Sequence, residues 1–193
     1  MSRGTLERLA GRVREEGPPL EVREPLGQAE TVFGELAAAG PRTSERGDEY
    51  AFVVESVREG YLCHYGTSRV LDDPDPDLAL LAGDLFYAIG IRGLADLDDL
   101  ESTGILSDLI RVAAELQAAD RPDLAESLWL GQITALSCGK DDRQAAAVAA
   151  LATRSEGARE ALAAWSEEAA DAHRLGRAFD VARTAIDSRP SNF

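Results

Sequence analysis

The sequence predicts an all-α fold, a single helical bundle over residues 1–193. Apolar residues recur at spacings of three and four through most segments, the breaks between segments are short and built from Gly, Pro and Asp, and no strand pattern is evident. The most apolar stretch, Asp77 to Gly93 (DLALLAGDLFYAIGIRG), carries one acid, Asp84, and glycines at 83, 90 and 93. Its length and its lack of proline predict a helix buried on most sides, around which the rest is organised. Gly83 and Gly90 are seven apart, so they share a face and admit a close neighbour, at a propensity cost of about 1 kcal/mol each.

The elements follow in order. Thr5 to Glu16 places Leu6, Leu9, Ala10 and Val13 on one helical face, and Gly17-Pro18-Pro19 stops it. Leu26 to Ala39 repeats the pattern more weakly, and residues 40–47 form a polar turn, so 1–47 reads as N-terminal helices and turn ahead of a bundle over 48–187. Asp48 to Tyr65 has an acidic first turn, favourable for the helix dipole, and apolar residues at 50, 53, 54, 57, 61 and 62. In the loop TSRVLDDPDPD, two prolines keep Asp72, Asp73, Asp75 and Asp77 off a common helical face, and Asp77 is expected to cap the central helix, Leu78 to Leu97. Gly104 to Ala119 and Asp123 to Cys138, the second expected to be capped by its aspartate, are further helices, and such short connections predict antiparallel neighbours. Asp141 with Gln144 resembles a capping box, and Arg143 to Arg189 is alanine-rich helix with an interruption near Gly157.

Composition narrows the function. Lys plus Arg number 20 against 35 Asp plus Glu, a net charge of −15, which opposes binding to nucleic-acid phosphates or anionic lipid. Cys63 and Cys138 sit in apolar helical patterns and suggest neither a disulfide framework nor a zinc site. The N-terminus lacks a signal-peptide core, and no run approaches the roughly 18 apolar residues that a membrane span needs. The chain therefore reads as cytoplasmic. His64 and His173 have no ligand-spaced Cys or acid beside them, so no metal site is expected, and Tyr61, Tyr65, Phe86 and Tyr87 are expected to fill core or interface. Asp84 stands out, because an acid buried in an apolar helix must find hydrogen-bond donors or stay protonated.

The segment LLAGDLFYA resembles the Gly-Asp helix of trans-isoprenyl diphosphate synthases (LVGDFLYSRA), and it is similar also to the LAGDYY run in the small non-catalytic subunit of two-component heptaprenyl diphosphate synthases. A second segment, Leu175-Gly176-Arg177-Ala178-Phe179-Asp180 through Asp187, is similar to the family's Leu-Gly-x-Ala-Phe-Gln-x-x-Asp-Asp-x-x-Asp motif. The resemblance covers about Asp48 to Asp187 and implies the isoprenoid-synthase type of bundle.

Its departures lie where the family's chemistry sits. The first aspartate-rich motif, Leu-Leu-His-Asp-Asp, is matched by Leu62-Cys63-His64-Tyr65-Gly66, and the second has Arg183 and Thr184 for its paired acids. Gly40-Pro41-Arg42 and Arg46 are all that remain of a basic diphosphate-binding element, and Gln132-Ile133-Thr134 stands near a Lys-Thr pair. The family's carboxylates hold magnesium ions that bridge to diphosphate. The resemblance therefore implies a non-catalytic protein without catalytic residues or cofactor. It would act as a regulatory or structural subunit, paired with itself or with a catalytic prenyl diphosphate synthase through the helices at 77–97 and 104–119. His64, Asp84, Phe179, Asp180 and Asp187 are its candidate ligand-binding residues. Two alternatives are an apolar-ligand protein holding an isoprenoid or similar lipid, and a residual prenyltransferase using magnesium at Asp72 to Asp77, Asp84 or Asp187.

Overall fold

The alternation of apolar stripes with Asp, Gly and Pro breaks folds into helices connected by short turns. The computed structural model describes residues 2–26 and 30–187, with side chains for 4–26 and 30–186. In chain order the helices are α1 (Ser2–Glu16), α2 (Val32–Ala39), α3 (Gly47–Tyr65), α4 (Pro76–Leu97), α5 (Leu100–Ala118), α6 (Pro122–Cys138), α7 (Asp142–Ala152), α8 (Ala158–Ala172) and α9 (Gly176–Asp187), with a 3₁₀ turn at Ser44–Arg46 before α3. Among the described residues the sole β-type pairing is an isolated antiparallel bridge between Val22 and Leu71. The fold is all-α.

The organising helix is α3 and not α4. Every residue from Tyr50 to Tyr61 is buried, including Glu55, Arg58 and Glu59. The most extensive helix pair is α3 with α4, while α2 lies along another side of α3 and α1 packs across it. A second layer is built by α5 on α6, α6 on α8 and α7 on α8, with α9 against α2 and α6. The larger core joins α2, α3, α5, α6 and the C-terminal helices around Trp129, Leu106, Leu109 and Leu128. A smaller one holds α1 against α3 and α4 through Leu6, Leu9, Phe52 and Phe86.

α4 departs from the expectation of a helix buried on most sides. It buries Ala82, Gly83, Phe86, Gly90 and Leu94, one stripe, against α3. Only 28% of its most apolar window is buried, and Leu80 and Leu81 are 48% and 68% exposed. With a mean hydropathy of 1.5 over that window, α4 is long and apolar enough to cross a membrane by length and composition alone, against the expectation that no run reaches that length. Its glycines do allow close approach: a Cβ at Gly90 would stand 2.6 Å from Val57 Cγ2 and 3.1 Å from the Val53 carbonyl of α3.

Caps explain most boundary shifts. Asp75, not Asp77, caps α4, accepting from the Leu78 N–H at 3.0 Å with Pro76 in the first turn, where its missing donor costs nothing. Asp99 caps α5 through the Ser102 N–H, so that helix starts four residues earlier than its apolar period indicates. α6 begins at Pro122, and Asp123 pairs with Arg121 instead of capping. Asp141 caps α7, but the Gln144 side chain donates to Gln132 at 2.7 Å instead of closing a capping box. The alanine-rich C-terminal segment breaks twice, at residues 153–157 and again at 173–175.

Candidate functional site

The sequence-predicted residues divide into two groups. His64, near the end of α3, and Asp84, in the third turn of α4, come together: His64 Nε2 lies 3.2 Å from Asp84 Oδ1. Phe179 and Asp180 belong to α9, which packs on α2, α6 and α8 and not on the α3–α4 pair. Phe179 is buried in the larger core, and Asp180 is exposed and pairs with Arg183 at 3.1 Å. Asp187 is the last residue of α9, and its side chain lies outside the described residues.

The Gly-Asp pair of α4 has a geometric meaning. A Cβ at Gly83 would stand 2.6 Å from both Cδ2 and Nε2 of His64, so the glycine gives the imidazole room to lie against α4 while the next residue accepts its N–H. Gly60 does the reciprocal service on α3, since a Cβ there would meet the Tyr87 ring at 2.6 Å. Tyr87 then stacks on His64 with ring centroids 5.3 Å apart and planes 11° from parallel. Tyr65 and Tyr61 continue the aromatic row at 5.7 and 5.2 Å spacings, and Gln117 of α5 donates to the Tyr61 hydroxyl. Burial holds the Tyr87 and Tyr61 phenols above their usual range. Asp84 corrects the expectation of a buried acid: its side chain is 75% exposed and pairs with His64 in contact with solvent. Among the described residues His64 is hydrogen-bonded to no hydroxyl or thiol nucleophile, so the arrangement locks two helices and offers a surface without assembling a nucleophilic dyad.

Behind this row lies a buried ionic network that the sequence did not reveal. Glu59 accepts from Ser68 Oγ at 2.6 Å, from the Arg69 N–H at 2.7 Å and from Arg69 Nε at 2.8 Å. Glu55 accepts from Arg69 Nη1 and from the Gly34 N–H, both at 2.6 Å. Burial acts to lower the Arg69 pKa, but the two carboxylates outweigh it and hold the guanidinium charged. On the other side of α3, Arg58 pairs with Glu126 at 2.7 Å and is enclosed by the rings of Phe33, Tyr61 and Trp129, 4.8 to 5.1 Å from its guanidinium carbon. The available signal was Glu55 and Glu59 four apart with Arg58 beside them, in a helix otherwise apolar enough to be buried on every side.

The positions that carry diphosphate and magnesium in the resembled family are committed to structure. Arg42 donates to the Leu136 carbonyl at 2.7 Å and pairs with Asp99 and Glu101. Gln132 is buried on Gln144. Arg183 pairs with Glu167 and Asp180, and a guanidinium there would repel a divalent cation, so these residues do not fit magnesium. Asp72, Asp73, Asp75 and Asp77 are exposed around the α4 cap, and among the described residues no group of three or more His, Cys, Asp or Glu is placed to hold a metal. A cleft of about 580 Å³ between α1 and α4 sets Arg8, Arg12, Arg46 and Arg92 against Glu15, Glu16, Glu49 and Asp96, a balance with no net pull on an anion. No family model matches the chain, and no curated protein or solved structure matches it.

Proposed function

We propose that this chain is a non-catalytic, isoprenyl diphosphate synthase-like protein that works by pairing, as a structural or regulatory subunit of a prenyl diphosphate synthase or as a homodimer. The observation that carries this reading is α4: a long apolar helix buries a single stripe and leaves Leu80 and Leu81 exposed side by side, an apolar surface of the kind a partner chain covers. The residues aligned with the family's basic and acidic motifs support the non-catalytic part, since Arg42, Gln132 and Arg183 spend their polar groups on internal partners.

The test is reconstitution with a magnesium-dependent prenyl diphosphate synthase from the same source. The chain alone, given an allylic diphosphate, isopentenyl diphosphate and magnesium, is expected to yield no elongated product, and its addition to the synthase is expected to change product length or rate. Elongation by the chain alone, or a synthase indifferent to it in both association and product, overturns the reading.

A further inference from the structure

Gln132 of α6 and Gln144 of α7 are 2% and 3% exposed, and a single hydrogen bond joins them, from Gln144 Nε2 to Gln132 Oε1 at 2.7 Å. A carboxamide both donates and accepts, so this bond leaves Gln132 Nε2 and Gln144 Oε1 over. Among the described residues neither atom has a protein partner, and neither is sealed from solvent. Turning both amides over exchanges the atoms and keeps the result: one N–H and one carbonyl oxygen remain side by side. Both residues line a cavity of about 150 Å³ where α5, α6 and α7 meet.

Helical spacing builds the rest of the site. Gln144, Val148 and Ala152 recur every four residues on one face of α7, and the alanines there leave room that longer side chains would fill. Ile105 of α5 and Val148 supply buried apolar walls. Arg111 on the rim is engaged by Asp108 at 3.2 Å and Glu115 at 2.9 Å. Lys140, the sole lysine of the chain, lines the same cavity and has no ion pair among the described residues. We infer that this cavity binds a small molecule with a primary carboxamide at one end and a carboxylate at the other. The ligand's carbonyl oxygen accepts from Gln132, its N–H donates to Gln144, and Lys140 holds the anion. A plain carboxylate accepts but does not donate, so it would set its charge against the Gln144 oxygen. The volume lies below the roughly 300–1,000 Å³ of pockets for drug-sized ligands, which points to a compound of a few carbons. The inference is independent of whether the chain pairs with a synthase.

Succinamate, succinate and succinamide have nearly the same shape and differ in donors and charge, so they serve as probes. Reductive methylation with a carbon-13 label marks Lys140 and the N-terminal amine of the intact chain and keeps both charged. Succinamate is expected to shift the Lys140 resonance saturably and to leave the N-terminal one in place, and succinate is expected to bind at least about tenfold more weakly. In ligand-observed NMR, Lys140→Met should weaken succinamate about threefold or more and leave succinamide unchanged. Gln132→Leu combined with Gln144→Leu should abolish binding of both, while circular dichroism shows a folded chain, because removing both amides together strands neither. A Lys140 resonance unmoved by succinamate, succinate bound as tightly, a Lys140→Met protein with unaltered affinity for succinamate, or a folded double variant that still binds overturns the inference.

Discussion

Arg69 Nε donates to Glu59 Oε2 across 2.8 Å, from the loop after α3 back into a helix buried on all sides, while its Nη1 reaches Glu55 at 2.6 Å. One guanidinium thus serves two carboxylates with side-chain exposures of 1% or less. Arg69→Met should remove about 3–5 kcal/mol of stability, because it strands two buried acids, and Arg69→Lys should recover only part, lacking the fork that spans both. Making all three apolar should not restore stability. Glu55 and Glu59 also accept from the Gly34, Arg69 and Val70 amides and from Ser68, which would then lose their partners. Urea unfolding of the four proteins measures each effect, and a wild-type midpoint for Arg69→Met would refute the role of the network.

The glycines of α4 and α5 make opposite predictions. At Gly90 an added Cβ would press on the Val53 carbonyl at 3.1 Å and on Val57 Cγ2 at 2.6 Å, and a backbone oxygen cannot swing aside. The parting of α3 and α4 that Gly90→Ala requires costs about 1–3 kcal/mol, which exceeds the roughly 1 kcal/mol gained in helix propensity. At Gly104 nothing lies within 4 Å of the added carbon, so Gly104→Ala should stabilise by about 0.5–1 kcal/mol. Thermal melts that rank the two variants in the reverse order would show that close approach is not what Gly90 provides.

The same helices show how far the sequence could be read. All-α architecture, the breaks at Gly17 and near Gly157 and the close approach at Gly83 and Gly90 follow from periodicity and small-residue spacing, which are local properties. The rank of α3 over α4 does not. Hydropathy treats Glu55, Arg58 and Glu59 as surface residues, and only tertiary pairing with Arg69, Glu126 and the Phe33, Tyr61 and Trp129 rings reveals them as core. Conversely, the apolarity of α4 suggests burial within the chain, although only 28% of its most apolar window is buried. His64 and Asp84 each stand out in their apolar helices, but a separation of 20 residues carries no geometric information about their meeting.

Cysteine reactivity tests the two layers separately. Burial pushes the Cys63 thiol up to about 12 and the Cys138 thiol up to about 11. The thiolate is the reactive species, so each unit of rise cuts its population about tenfold at pH 8. Native protein should therefore react with a disulfide reagent at least about a hundredfold more slowly than urea-unfolded protein, with half-buried Cys138 ahead of Cys63. A fast phase that Cys63→Ser abolishes would mean that α1 does not seal the smaller core.

Acid and alkaline limits of stability should meet at Asp99 and Tyr50. Burial alone would raise the Asp99 carboxyl, but hydrogen bonds from Ser102 Oγ, the Ser102 N–H and Tyr50, with Arg42 nearby, bring it below the usual carboxylate range. Burial, and then the bond to Asp99, pushes the Tyr50 phenol up to about 12. A depressed acid favours the folded state above its unfolded pKa, near 3.9, and that contribution is lost as pH falls through the lower folded value. A raised phenol works in the opposite sense: its contribution is complete below about 10 and lost as pH climbs towards 12. Asp99→Asn should flatten the acid limb of a stability-against-pH curve, and removal of the cap should lower the plateau by about 1 kcal/mol or more. Tyr50→Phe should flatten the alkaline limb and leave most of the acid limb standing, because the Ser102 and Arg42 contacts of Asp99 remain. Urea midpoints from pH 3 to 11 separate the two, and an acid limb unchanged in Asp99→Asn would remove Asp99 from the linkage.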